Sequence, residues 1–254
     1  MDKNHVKAVH KFGLIGKDIE YSFSRNYFSS KFESLDLPYS YVNFDLKTIE
    51  EFPSLIKNNP ELKGLNVTIP YKEAVMPFLD SLHKSAKKIG AVNTIKFTKK
   101  GKLKGYNTDA YGFKKSIIPF IETHHKRALI LGTGGASKAI CYVLKKLGIE
   151  YKFVSRKPSD SHQLPYSQLN EDNIKDYHII INCTPLGTFP DTMACPDIPY
   201  AGLTSQHLLF DLVYNPSTTT FMKKGQEYGA ITTNGSKMLE HQAEKAWSIW
   251  MPGK

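Results

Sequence analysis

Cysteine is scarce in this chain of 254 residues: Cys141, Cys183 and Cys195 are all there is. Three is an odd set without paired metal-ligand spacing, so neither a disulfide framework nor a zinc site is expected, and no metal is assigned. Long apolar runs are missing too. None approaches the roughly 20 residues of a membrane span, and the opening MDKNHVKAVHKF has no apolar centre of the signal-peptide kind. A cytoplasmic protein with no membrane partner is expected. Acidic residues are outnumbered, 24 against 34 basic, for a formal charge of +10. The positives are scattered; their densest cluster, KKGKLKG at 99–105, reads as a lysine-rich hairpin tip. No basic ribbon interleaved with aromatics accompanies it, so the charge is read as attraction for small anions and not for nucleic acid.

What is present is an alternation of short apolar runs and helical stretches, the pattern of an α/β chain with largely parallel strands. KFGLIG (11–16), YSYVNFD (39–45), GLNVTIP (64–70) and AVNTIKF (91–97) read as strands, with helices expected near 25–36, 47–58 and 71–88. A second series starts at RALIL (127–131), continues with a helix to about 147, and then runs through YKFVS, HIIINCT and HLLFDLV. Between the two series NTDAYGFKKSIIPFIE (107–122) offers Thr108 or Asp109 as a cap ahead of helical spacing, which puts a domain boundary near it. At the other end SKMLEHQAEKAWSIW carries Leu239, Ala243, Ala246 and Trp250 on one helical stripe, with Gln242 at the stripe's edge where an apolar residue would be ordinary.

In ALILGTGGASKAI an apolar strand runs into Gly132, Thr133, Gly134, Gly135 and Ala136 and then into a helix. A dinucleotide pyrophosphate needs that order, because glycines permit a tight turn and the free N–H groups of the helix start face the phosphates. Ser137 stands at the third glycine position of the usual fingerprint. The end of the following strand should carry an acid for a ribose diol or a base for an added phosphate. It reads KFVSRKPSD. Ser155, Arg156 and Lys157 favour the phosphate of NADP, with Asp160 the nearest acid.

Polar residues also stand at the ends of elements in the first series. Ser22 and Ser24 are two apart, so an extended segment would aim both hydroxyls one way, and Ser24 is a further candidate to cap the next helix. Asn93 and Asp109 sit where side chains converge on a cleft or simply cap a turn. Lys72 follows the strand GLNVTIP. A lysine and a carboxylate beside a hydroxyl can hold it, take its proton as hydride leaves, and return the proton in reverse.

In order along the chain, YSFS, GLNVTIPYKE, GAVNTI, GYNTDAYGF, LGTGGASKA, NCTPLG, DLVYNP and NGSKMLEHQA resemble the shikimate dehydrogenases, NADP-dependent enzymes of aromatic amino-acid biosynthesis. The resemblance implies an N-terminal α/β substrate domain (1–107) to which the last helix (236–254) returns, and a Rossmann-like NADP domain (108–235). It implies reversible hydride transfer at the 3-position of shikimate by a monomer or homodimer. Lys72 and Asp109 match the family's catalytic pair, Ser22 and Ser24 its carboxylate seat, and Thr68, Asn93 and Gln242 the residues on ring hydroxyls. Tyr214 matches a tyrosine near the carboxylate. Leu212 and Gly235 fall at positions lining the nicotinamide. The family usually reads HSxSPxxHN where this chain has YSFSRNYFS, so the serines persist while their neighbours differ. A quinate/shikimate dehydrogenase of the same fold, a silent NADP or shikimate sensor and a folate-type dehydrogenase are the competing readings. Both serines favour shikimate over quinate, Lys72 and Asp109 speak against a sensor, and the serines with Gln242 speak against a folate enzyme.

Overall fold

The computed structural model describes residues 10–20 and 22–252; Tyr21 lies outside them. The chain divides into two compact units, Met1–Thr108 with Gln242–Lys254, and Asp109–His241. The first unit runs β1 (His10–Gly16), α1 (Phe23–Ser34), β2 (Tyr39–Asp45), α2 (Phe52–Asn58), β3 (Leu62–Val67), α3 (Tyr71–Ala74), β4 (Ser81–Leu82), α4 (Lys84–Ile89), β5 (Thr94–Phe97) and β6 (Leu103–Tyr106). Its six-stranded sheet has the order β2-β1-β3-β5-β6-β4. β1 pairs parallel with β2 and β3, while β5 is antiparallel to both β3 and β6. The lysine-rich segment is the turn of the β5–β6 hairpin, as its composition suggests. One stretch departs from the expected pattern. The helix anticipated over 71–88 is broken into α3, a 3-10 turn over Met76–Phe78 and α4, with β4 between them. Pro77 cannot continue an α-helix, and the Asp80 carboxylate instead accepts from Leu103 N at 2.8 Å, which draws the chain to the sheet edge.

The second unit begins with α5 (Asp109–Ile117) and continues through β7 (Arg127–Leu131), α6 (Gly135–Leu147), β8 (Glu150–Ser155), β9 (Gln163–Pro165), α7 (Glu171–Ile174), β10 (Ile179–Asn182), β11 (Leu208–Asp211), α8 (Thr220–Glu227) and β12 (Ile231–Thr233). Its six strands are all parallel, in the order β12-β11-β10-β7-β8-β9. β7, β10 and β11 are buried on both faces, which is why RALIL, IIIN and LLFD read as continuous apolar runs. The chain order reverses between β7 and β10, the switch point where an open α/β sheet leaves a crevice at its strand ends.

The last helix, α9 (Ser236–Trp250), starts in the second unit and from Gln242 on belongs to the first. There Ala243, Ala246, Trp247 and Trp250 pack with Phe12, Phe28, Phe32 and Tyr41. The Trp250 indole donates to Ile95 O at 3.0 Å, and Lys31 pairs with Glu244 at 2.6 Å. Of the apolar stripe read from the sequence, Ala243, Ala246 and Trp250 therefore lie on the face packed in the first unit, while Leu239 belongs to the second unit.

Candidate active site

Sheet order in the first unit brings four chain segments to one edge. β1 and β3 end there, antiparallel β5 begins there, and β6 ends there. The chain leaving β1 reaches Ser22, which caps α1 by accepting from Arg25 N at 3.2 Å. Ser22 is thus the cap, while Ser24 sits within the first helical turn. The chain leaving β3 turns through Thr68, whose N–H donates to Ile15 O at 2.9 Å and whose carbonyl accepts from Tyr71 N at 2.9 Å. The register of α3 follows from its neighbours. Tyr71 and Val75 are buried, and the Tyr71 hydroxyl donates to Leu46 O at 2.6 Å. Lys72, between them and half-buried, has its backbone carbonyl held by Val92 N at 2.7 Å.

Asn93, just before β5, is the hub of this edge. It is buried, its Oδ1 accepts from Thr108 N at 2.7 Å, and its Nδ2 donates to Thr108 Oγ1 at 3.0 Å and to Gln242 Oε1 at 3.1 Å. Thr94 adds its hydroxyl to Asn93 Oδ1 at 3.2 Å. The array has depth. Asn66 in β3 donates to Asn93 O at 3.2 Å and to Thr94 Oγ1 at 3.3 Å, and accepts from the buried Tyr41 phenol at 2.7 Å. Burial pushes the Tyr41 phenol far above its ordinary value, so it remains a donor. Tyr41 and Asn66 were absent from the sequence-based candidates. Their signal was an asparagine in an otherwise apolar strand, where an amide needs a partner.

The segment after β6 is pinned to the same edge by the Asn107 amide, which donates to Ala91 O at 3.1 Å, and by Thr108 on Asn93. Asp109 follows as the first residue of α5 in the second unit, buried and at the helix end that favours a carboxylate. Ser22, Ser24, Thr68, Lys72, Asn93 and Gln242 belong to the first unit, Asp109, Leu212, Tyr214 and Gly235 to the second.

In the second unit β7 runs into Gly132, at φ +95°, and α6 starts from Gly134 with no side chain capping its N–H groups. A Cβ placed on Gly134 would meet nothing within 4 Å. The first turn of a 13-residue helix thus stands at the switch point with no side chain capping it, a fit for the pyrophosphate of a dinucleotide. Ser137, where a third glycine was expected, is buried and its hydroxyl donates to Gly134 O at 2.6 Å, supporting the loop from beneath. At the end of β8, Ser155 Oγ accepts from Lys157 N at 3.2 Å, while the Arg156 and Lys157 side chains are exposed. Asp160 is used by its own turn: it accepts from His162 N at 2.8 Å and from Gln163 Nε2 at 3.2 Å. The basic side chains stand exposed at the strand end, while this acid is engaged within its own turn. Leu212 and Gly235 meet at the ends of β11 and β12, where a Cβ on Gly235 would lie 2.3 Å from Leu212 O. Only glycine permits that approach. Tyr214 is half-buried in the loop after β11.

An all-parallel dinucleotide fold with its glycine loop at the switch point, in a chain whose other α/β unit gathers a lysine, hydroxyls and amides at one sheet edge, defines a two-domain nicotinamide-dependent oxidoreductase. Comparison with known proteins narrows the class. Residues 14–95 match the shikimate dehydrogenase substrate binding domain. A shikimate dehydrogenase (NADP(+)) of Methanosphaera stadtmanae is 37% identical over 94% of this chain and 90% of its own, and one of Clostridium botulinum strain Hall is 39% identical over 95% and 96%. The crystal structure of the Thermus thermophilus shikimate 5-dehydrogenase in complex with NADP(H) and shikimate superimposes with a TM-score of 0.82 at 29% identity, covering 95% of this chain and 93% of that one. The chain belongs to the shikimate dehydrogenase family.

Proposed function

We propose that the chain catalyses the reversible NADP-dependent reduction of 3-dehydroshikimate to shikimate, acting in the cytoplasm on this small acid and not on nucleic acid or a membrane. The observation that carries the reading is the edge of the first sheet, where the buried Asn93 and Thr108 and the half-buried Gln242 form one hydrogen-bonded array a short turn of chain from Thr68 and Lys72. Such an array is preorganised. Its amides and hydroxyls are already desolvated and oriented, so ring hydroxyls of a polyol acid find donors and acceptors in place.

NADP(H), when bound, exchanges the hydride. The chain's residues do the rest. Lys72 donates a proton to the oxygen at the 3-position as the ketone becomes a hydroxyl, and Asp109 holds and shuttles that proton in the reverse direction. Ser22 and Ser24 bind the carboxylate with Tyr214 nearby, and Thr68, Asn93 and Gln242 orient the ring. The loop Gly132, Gly134, Gly135 and Ala136 receives the pyrophosphate. Ser155, Arg156 and Lys157 receive the 2′-phosphate, and Leu212 and Gly235 line the nicotinamide.

The test is absorbance of the reduced nicotinamide with purified protein and shikimate, run with NADP and with NAD and repeated with quinate. NADP reduction with shikimate is the expected result; turnover of quinate at a matching rate would shift the substrate to the broader polyol acids. Lys72→Ala should lower kcat by about 100-fold, the scale of removing a positioned acid or base. Its fold should persist, since Tyr71 and Val75 set the register of α3. A kcat within a few-fold of the parent would remove Lys72 from the mechanism.

A further inference from the structure

Asp211 ends β11, is fully buried, and has no part in the roles above. Donors from three places converge on its carboxylate. The Asn182 amide, at the end of the neighbouring β10, donates to Oδ1 at 2.9 Å, and the Val213 N–H donates to the same oxygen at 3.0 Å. The Thr219 hydroxyl, which caps α8, donates to Oδ2 at 2.6 Å. Asn182 in turn gathers the loop after β10. Its Oδ1 accepts from Thr184 N at 3.0 Å and from the Thr184 hydroxyl at 2.6 Å, and its Nδ2 reaches Leu186 O at 3.4 Å. One carboxylate therefore ties the loop after β10, the loop after β11 and the start of α8.

A neutral, apolar filling would close this part of the core at lower cost, because a carboxylate out of water is disfavoured even when paired. Burial raises the Asp211 carboxyl from 3.8 to about 6 despite its three donors. Its surroundings give the reason to keep it. β10 flanks the switch point: Cys183 N donates to Leu131 O at 2.9 Å, and Thr184 stands so close that a Cβ on Gly132 would meet its methyl at 3.0 Å. On the other side, Leu212 N donates to Asn182 O at 3.0 Å, and Gly235 N reaches Val213 O at 3.3 Å.

We propose that Asp211 is a positioning residue for the nicotinamide end of the dinucleotide, its carboxylate holding the loops after β10 and β11 in the arrangement the ring requires. The proposal rests on the reading that this unit binds NADP. Asp211→Asn places N–H groups where its partners need an acceptor, and Thr219→Val removes one tether together with the cap of α8, while Thr219→Ser keeps the hydroxyl for both. Calorimetric titration of the whole chain with NADP and with 2′,5′-ADP, which carries the adenine end but no nicotinamide, separates the two ends of the site.

Asp211→Asn and Thr219→Val should each weaken NADP about tenfold, the scale of one hydrogen bond to a charged group. Both should bind 2′,5′-ADP within about twofold of the parent, and Thr219→Ser should restore NADP affinity. NADP binding within about twofold in both variants, or an equal loss of both ligands, would overturn the positioning role. A parent chain that binds neither ligand would overturn the cofactor reading and this proposal with it.

Discussion

The Tyr41–Asn66 pair offers a sharp test of how the first unit's polar edge is built. Tyr41→Phe removes one hydroxyl and leaves the ring, which stacks on Phe28 at 4.9 Å between centroids. The packing should survive. What is lost is the donor at 2.7 Å from Asn66 Oδ1, in a residue only 8% exposed. A buried acceptor left without its donor costs about 1–3 kcal/mol, so urea unfolding should show a loss of that size. Asn66→Leu removes the acceptor as well as the amide donors to Asn93 O and Thr94 Oγ1, but Asn93 O keeps a second donor, Val67 N at 2.9 Å. The double variant leaves neither partner of the pair stranded. Its loss should fall short of the sum of the singles by about 1 kcal/mol or more, the coupling expected for residues in one network. In shikimate turnover, Tyr41→Phe should raise KM a few-fold with a smaller change in kcat, because Asn66 steadies Asn93. Additive single losses would refute the linked network, and a Tyr41→Phe chain as stable as the parent would refute the buried bond itself.

Three further outcomes follow from the geometry. Gly64→Ala would set a Cβ 2.3 Å from the Trp250 indole nitrogen, so the C-terminal end of α9 must shift at a cost of about 1–3 kcal/mol; an unchanged melting curve would contradict that packing. Arg156→Ala should raise KM for NADP far more than for NAD, and equal effects would argue against a 2′-phosphate contact. His125, His178 and His207 in the second unit all have values lowered by burial, so the unfolded chain binds more protons and stability should fall as pH drops through the ordinary histidine range near 6.5. Asp211, raised to about 6 from 3.8, works in the opposite direction between those values, because there the folded state binds the proton more tightly. His207→Asn, which keeps an acceptor for the Thr204 N–H seen at 3.0 Å, should flatten the decline in urea midpoint below pH 6.5; an unchanged slope would exclude His207 as its source.

The features that are local in the chain were legible in the residues alone. An apolar strand, a glycine turn and a helix start lie within one short stretch, and their chemistry depends on neighbours a few positions away. The same holds for the α9 stripe, for the hairpin at 99–105 and for Lys72 after its strand. The short strands β4, β6, β9 and β12 escaped that reading, because each has too few residues to show a period. Asp160 shows the limit from another side. The sequence marks it only as the acid nearest the basic pair, and the fold of its own turn is what shows the carboxylate accepting from His162 N and Gln163 Nε2.

Tertiary structure alone decided how the polar residues are joined. Tyr41, Asn66, Asn93, Thr108 and Gln242 come from five separate segments, and no spacing along the chain announces that their amides and hydroxyls meet. The Asp211 tie is of the same kind, with Asn182 and Thr219 delivered by two other elements. Residue types and local order determined which groups this protein can offer a substrate. Sheet order and burial decided which of them share one desolvated edge, because a hydrogen bond acts over about 3 Å in space and is indifferent to distance along the chain.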